Sequence, residues 1–162
     1  METELVNEII AVAQTGTLEN KECRDELRAK IALLEDAMKK YPEVDVPLTH
    51  TFSKGVYARE IAIKKGSLIV GKIHNFANMN IISKGKVSFF SIDGAVHAEA
   101  PYTFVASPGT KRVIYAHEDS VWTTIHGTDE TDLEKIEKIF IAKNYEQLIE
   151  IDSQKIKLLG GV

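Results

Sequence analysis

Apolar positions near the start of the chain recur with the period of an α-helix. Residues 2–13 carry apolar side chains at i, i+4 and i+7, and Gly16 follows this stripe, so a helix is predicted there. A longer stripe predicts a second helix over residues 18–40, whose narrow seam consists of Cys23, Leu27, Ile31, Leu34 and Met38. Such a seam favours packing on one surface, either the chain's own core or another subunit.

Over residues 48–125 the period changes to two, which is typical of β-strands. We predict strands near 48–52, 56–64, 68–74, 78–83, 86–92, 95–100, 102–106, 111–117 and 120–126. Most of the breaks contain glycine, which accepts the positive φ of tight turns. Eight or nine short strands with tight hairpins predict a mainly β fold, an antiparallel sandwich or jelly-roll barrel.

The helical period returns after the predicted barrel. Thr131 and Glu134 form a capping-box signature, so a helix is expected to begin near Asp132, and an apolar run of helical or strand-like character covers residues 145–159. A chain of 162 residues is too short for two ordinary domains. We therefore divide it into an N-terminal helical segment (1–45), a β-barrel (46–126) and a C-terminal helix and tail (127–162).

Composition and charge argue against some classes of function. With 44% hydrophobic and 27% charged residues the chain looks like a soluble globular protein, and it lacks a secretory signal pattern, so we expect it in the cytoplasm. Residues 46–126 carry 5 acidic and 9 basic side chains, a net charge of +4, although the whole chain has −4. This distribution favours a small anion bound at the basic centre over duplex nucleic acid or a membrane.

Two stretches of the predicted barrel carry the candidate chemistry. Residues 66–85 read GSLIVGKIHNFANMNIISKG, which contains Lys72, His74 and Asn78, and residues 107–116 read SPGTKRVIYA, which contains Arg112. The spacing resembles the two motifs of the cupin superfamily. That resemblance implies a double-stranded β-helix (jelly-roll) barrel, and it implies metal-ligand positions at these four residues, where the family has three histidines and a glutamate. His74 alone keeps the family's residue.

Two cations and one amide are poor ligands for a divalent ion, so we predict no metal, no cofactor and no catalytic residue. Segments such as GVYAREI and APYTFVASPGTKR also resemble short cupin-like proteins of tailed bacteriophages and prophages. That narrower resemblance implies an N-terminal helical segment and the cytoplasm of a bacterial host. Cupin barrels commonly pair through exposed strands, so a homo-oligomer is expected as well.

The residues that replace the metal ligands suit an anion. A guanidinium binds phosphate or carboxylate with a fork of donors, and an ammonium adds a point charge. Strand alternation places Lys72 and His74 on one face, the nearby amides can contact hydroxyls or a base edge, and a loop aromatic can stack on a ligand. The predicted ligand site is Lys72, His74, Phe76, Asn78, Asn80 and Arg112.

Three functions compete at this point. The first is a non-catalytic phage protein that binds a small anionic, nucleotide- or phosphate-like ligand and sequesters a host signal. The second is a metal-dependent cupin enzyme of the isomerase or dioxygenase type. The third is a structural or host-interaction protein without a ligand, in which Lys72 reaches solvent and Arg112 pairs with Glu60, Glu99 or Glu118.

Overall fold

The structure is a computed structural model that describes residues 21–148 and, ahead of them, Asn7. A helix, α1, spans Lys21–Met38. The strands are β1 (Leu48–Ser53), β2 (Val56–Ile63), β3 (Leu68–Val70), β4 (Ile73–His74), β5 (Asn78–Lys84), β6 (Lys86–Ser91), β7 (Gly94–Glu99), β8 (Tyr102–Ala106), β9 (Val113–Ala116), β10 (Ser120–Gly127) and β11 (Ile141–Ala142). A second helix, α2, spans Leu133–Phe140, and a 3-10 turn follows at Tyr145–Gln147.

Nine of the strands form two antiparallel sheets that face each other, and β4 pairs with β11 in a third, two-stranded sheet. The first sheet has the order β1-β2-β10-β5-β8, and the second sheet has the order β3-β9-β6-β7. The pairs β2–β10, β3–β9, β5–β8 and β6–β7 nest inside one another along the chain, which is the winding of a jelly roll. The predicted mainly β jelly-roll barrel is confirmed, and within residues 21–148 α1 precedes it and α2 follows it.

The core lies between the inner faces of the two sheets. Ile63, Ile82 and Trp122 of the first sheet pack against Phe89 and Ile114 of the second. The indole of Trp122 meets the Phe89 ring edge to face, with 5.0 Å between ring centroids. Along β10 the buried positions alternate with half-buried ones, as the period of two in the sequence predicts.

Helix α1 packs on the outer face of the second sheet. Its seam residues Leu27, Ile31 and Leu34 are buried against Phe90 and Val113. Burying each such side chain contributes about 1.5–3 kcal/mol, so this helix stabilises the barrel. Of the two partners considered for the seam, the chain's own barrel is therefore the one that it contacts. Neither described helix is long and apolar enough to cross a membrane.

The predicted strand over residues 68–74 is wrong in one respect, because the structure breaks it into β3 and β4. The backbone N–H of Gly71 donates to the Arg112 carbonyl, and that of His74 donates to Thr110, before β4 pairs with β11. Side-chain alternation does not continue through the break. The side chain of Lys72 is 54% exposed and forms an ion pair with Glu137, whereas His74 is buried.

Helix α2 begins close to the predicted position, but Thr131 does not cap it as the predicted Thr131–Glu134 capping box requires. Asp132 is its N-cap, and the Asp132 side chain accepts hydrogen bonds from the backbone N–H groups of Glu134 and Lys135. The helix buries Ile136 and Phe140 against Tyr57 of the barrel. The predicted helix over residues 2–13, apart from Asn7, and residues 149–159 of the C-terminal run lie outside the described residues. The three-segment division at residues 45 and 126 stays a prediction.

Candidate functional site

A cavity of about 310 Å³ lies between the two sheets, at the lower end of the range for small-molecule sites. Its apolar walls include Ile61, Ile69, Val70, Ile114 and Trp122. The polar residues that line it are Arg59, Lys72, His74, Arg112 and Thr124. The described lining thus contains three basic side chains and neither aspartate nor glutamate, which favours an anionic occupant.

Arg112 is the unusual residue of this cavity. It is 5% exposed, and its Nη2 atom has no hydrogen-bond partner within residues 21–148. Its Cζ atom lies 5.4 Å from the Phe104 ring centroid and 5.7 Å from that of Trp122, so aromatic faces contribute to holding the guanidinium. Burial lowers the pKa of Arg112 to about 10, against an opposing effect of Asp93, so the group stays charged at neutral pH.

The carboxylates that sequence analysis offered as partners of Arg112 are engaged elsewhere or lie apart from it. Glu60 accepts a hydrogen bond from Thr123, and Glu99 pairs with Lys86 at 3.0 Å. Among the described residues, neither these two nor Glu118 forms an ion pair with Arg112. The alternative in which Arg112 pairs with one of these carboxylates is therefore wrong, and within residues 21–148 the buried guanidinium lines the cavity without a carboxylate in contact.

Two buried histidines lie side by side at the site. The rings of His74 and His126 are stacked, with centroids 5.4 Å apart, and His126 also stacks on Phe140 at 4.3 Å. In the described part of the chain neither Nδ1 atom has a hydrogen-bond partner. Burial, with the charge of Arg112 second, lowers the pKa of His74 to about 3, and burial lowers the pKa of His126 to about 4. Both imidazoles are therefore neutral at neutral pH.

The amides of Asn78 and Asn80 are used inside the protein. Asn80 donates to Asn78 Oδ1 at 2.8 Å, and its own Oδ1 accepts from Trp122 Nε1 and Thr124 Oγ1, both at 3.0 Å. Asn78 donates to the Phe76 carbonyl. Neither amide lines the cavity of about 310 Å³. The network instead fixes Trp122 and Thr124, which do line it, so both asparagines position the wall.

The structure thus brings together Lys72, His74 and Arg112 from the predicted site, and it separates the other members from them. Phe76 packs edge to face against Phe140, with 5.8 Å between centroids, and lies outside the cavity lining. Lys72 lines the cavity from its rim, where Glu137 partly neutralises it. The predicted roles of Phe76, Asn78 and Asn80 in direct ligand contact are not supported by these positions.

Sequence reasoning missed Arg59 and the place of His126 at the site. Arg59 is half-buried on β2 and lines the cavity. It lies two residues from both Tyr57 and Ile61, so its side chain is on the same inner face of the sheet as theirs. His126 lies four residues after Trp122 on β10, so its side chain is on the same inner face as that of Trp122. Counting in steps of two from the apolar inward residues of each strand would have found both.

The residues at the metal-ligand positions do not fit a divalent cation. His74 is the one imidazole at these positions, the Asn78 amide is hydrogen-bonded internally, and the guanidinium of Arg112 is buried beside them. Across residues 21–148 there is no group of three or more histidine, cysteine, aspartate or glutamate side chains arranged to hold a metal. Arginines in the cavity would repel a cation that a lone imidazole binds weakly.

Comparisons with known proteins find solved structures of low sequence identity, with TM-scores below 0.5. No protein-family model and no curated protein matches the sequence. A cupin superfamily protein from Desulfitobacterium hafniense is 12% identical over 55% of this chain and 83% of its own, with a TM-score of 0.45. KdgF from a Halomonas species is 13% identical over 59% and 93%, with a TM-score of 0.47.

In a third solved structure, only part of a longer chain resembles this one. Salicylate 1,2-dioxygenase from Pseudaminobacter salicylatoxidans is 11% identical, with a TM-score of 0.48, over 75% of this chain but 36% of its own length. The solved structures that resemble this chain therefore include a cupin superfamily protein and a dioxygenase. Because the similarities are this low, the jelly roll is assigned from the strand topology of the chain itself.

Proposed function

We propose that the barrel cavity binds a small organic anion of nucleotide- or phosphate-like chemistry. One observation carries this proposal: the guanidinium of Arg112 is charged, buried and without a carboxylate in contact within the described residues. A buried charge without a partner is costly, and proteins normally pair it. A bound phosphate or carboxylate supplies that partner through the two-pronged geometry that guanidinium favours.

The rest of the lining supports the same chemistry. Arg59 from the first sheet adds a second cation, and Lys72 adds a partly neutralised one at the rim. Ile69, Ile114 and the Trp122 indole offer an apolar wall to the body of the ligand. This combination suits a molecule with an anionic group at one end and a planar or apolar group at the other.

The proposal is for binding without catalysis. A general acid or base works best with a pKa near the operating pH, whereas His74, the imidazole in the cavity lining, has a pKa of about 3. The resemblance of the sequence to short phage proteins motivates the biological part of the proposal. The protein would act in the host cytoplasm by sequestering a signalling nucleotide, a task that requires affinity and copy number alone.

The test is a binding measurement on protein freed of ligand by unfolding and refolding. Inorganic phosphate and a panel of linear and cyclic nucleotides are titrated into the full chain by calorimetry. We expect one anion to bind per chain, and Arg112→Met to weaken that binding by about 30-fold or more, since losing a desolvated charge pair costs about 2–5 kcal/mol.

The matched control is Lys86→Met, which removes one positive charge from the outer surface, where Lys86 pairs with Glu99. This variant is expected to keep the affinity of the wild type. If no anion in the panel binds, or if Arg112→Met and Lys86→Met bind it equally well, the proposal is wrong.

A further inference from the structure

A second polar cluster lies on the outer face of the second sheet, away from the cavity. Ser88 of β6 has its Oγ atom 2.6 Å from Nδ1 of His97 on β7. The same oxygen is 2.5 Å from Nε2 of His117, which directly follows β9. Two imidazole nitrogens from strands on either side of β6 therefore point at one position in space.

The surrounding backbone and rings hold both imidazoles in place. His97 lies opposite Ser88 in the β6–β7 register, so their side chains share one face. The backbone N–H of His117 donates to the Lys86 carbonyl at 2.8 Å. Its ring also meets the Tyr115 ring edge to face, with centroids 5.0 Å apart. The pair is pre-arranged, yet both histidines are exposed to solvent.

We propose that His97 and His117 bind a first-row transition-metal ion such as Zn²⁺, Ni²⁺ or Cu²⁺. Their two nitrogens are at most about 5 Å apart, because both contact the same oxygen. Metal–imidazole bonds of about 2.0–2.1 Å span up to about 4 Å between two nitrogens, so small ring rotations close the gap once the hydroxyl turns aside. Neutral imidazole is the ligand type that these ions share.

Charge and ligand number set the expected strength of this site. Lys86 lies on the same face, but its ion pair with Glu99 limits repulsion of a cation. No third histidine, cysteine or carboxylate of residues 21–148 completes a metal-binding group here, so water fills the remaining coordination positions. We therefore expect micromolar rather than tighter affinity, with Cu²⁺ bound more strongly than Ni²⁺ or Zn²⁺, and no binding of Mg²⁺ or Ca²⁺.

The experiment titrates the full chain with ZnCl₂ and, separately, NiCl₂ in a buffer that does not coordinate metals. Calorimetry should give one ion per chain, and proton NMR should show that the imidazole resonances of His97 and His117 shift or broaden first. We expect His97→Ala and His117→Ala each to weaken binding at least tenfold and the double variant to lose it.

The control is His50→Gln, which removes an imidazole from β1 in the first sheet and is expected to bind the metal as the wild type does. Circular dichroism checks that every variant folds. Absence of metal uptake by the wild type overturns the proposal, as does equal uptake by the double variant. Binding of nucleotides in the cavity is measured separately and does not affect either outcome.

Discussion

At the scale of single residues, a buried charge held for a ligand should lower the stability of the empty protein. We expect Arg112→Met to raise the free energy of unfolding of the ligand-free protein by about 1–4 kcal/mol, because an apolar side chain replaces a desolvated guanidinium. Urea unfolding followed by circular dichroism measures the change. A clear loss of stability in this variant would assign Arg112 a structural role instead.

The two buried histidines should make folding stability depend on pH. Each has a pKa near 6.5 when unfolded, and in the folded protein the pKa is about 4 for His126 and about 3 for His74. As pH falls from 6.5 towards those values, the two imidazoles become protonated in the unfolded chain but stay neutral in the native protein. The free energy of unfolding is therefore highest above pH 6.5. Below that pH it falls by up to about 1.4 kcal/mol per pH unit for each histidine.

Urea unfolding between pH 7 and pH 5 measures this slope, in a window above the titration of the exposed carboxylates. His126→Phe keeps a flat ring between His74 and Phe140 while removing one titrating group, so we expect it to reduce the slope by about half. A slope that is unchanged in this variant would mean that His126 is already protonated, or exposed, in the native state.

Sequence spacing alone located part of the site. It found Lys72, His74 and Arg112, because a motif records positions along one strand or loop. It did not reveal that the amide oxygen of Asn80 already accepts two hydrogen bonds inside the protein. The donors, Trp122 and Thr124, lie more than 40 residues away in the chain. Whether a polar side chain is free for a ligand depends on such distant contacts, which periodicity does not record.

At the scale of elements, the turn between β5 and β6 depends on a glycine. Gly85 has a φ of +85°, and an added Cβ would lie 2.2 Å from Ser120 Oγ and 2.6 Å from the Asp119 carbonyl oxygen. We expect Gly85→Ala to lower the free energy of unfolding by about 2 kcal/mol or more, because backbone strain and a steric clash add together.

The control for this turn is Gly66→Ala, which changes a glycine of similar φ, +82°, with no atom within 4 Å of the added Cβ. Gly66→Ala should lower the free energy of unfolding only by the backbone strain, about 1 kcal/mol. Urea unfolding of both variants separates the two contributions. Equal losses in the two proteins would show that the clash at Gly85 is relieved by local movement.

The elements that sequence analysis recovered are those with enough residues to display a period. The strands from β5 to β8 begin and end close to the predicted positions, and helix α2 begins close to its predicted start. The short strand β11 was not recognised, and β4 was not separated from β3, because β4 and β11 have two residues each and pair across 67 and 69 positions of the chain. Their pairing joins α2 to the barrel beside His74, so the missed elements are the ones that shape the site.

At the scale of the whole molecule, the outer face of the first sheet is uncovered in the described structure. Met79 and Val105 are directly opposite each other in the β5–β8 register and are 46% and 67% exposed, and Ile125 of β10 lies next to Met79. These three apolar residues would meet a second copy of the chain without like-charge repulsion. An isologous pair of such faces is the commonest form of homodimer.

We therefore expect the protein to be a homodimer through this face, and Val105→Asp to make it a monomer by placing a carboxylate in the apolar interface. Light scattering coupled to size-exclusion chromatography at micromolar concentration measures the mass of each species. Leu33→Asp changes another exposed apolar residue, on α1 outside the first sheet, and should remain dimeric. A monomeric wild type, or a dimeric Val105→Asp, would show that this face does not pair with its copy.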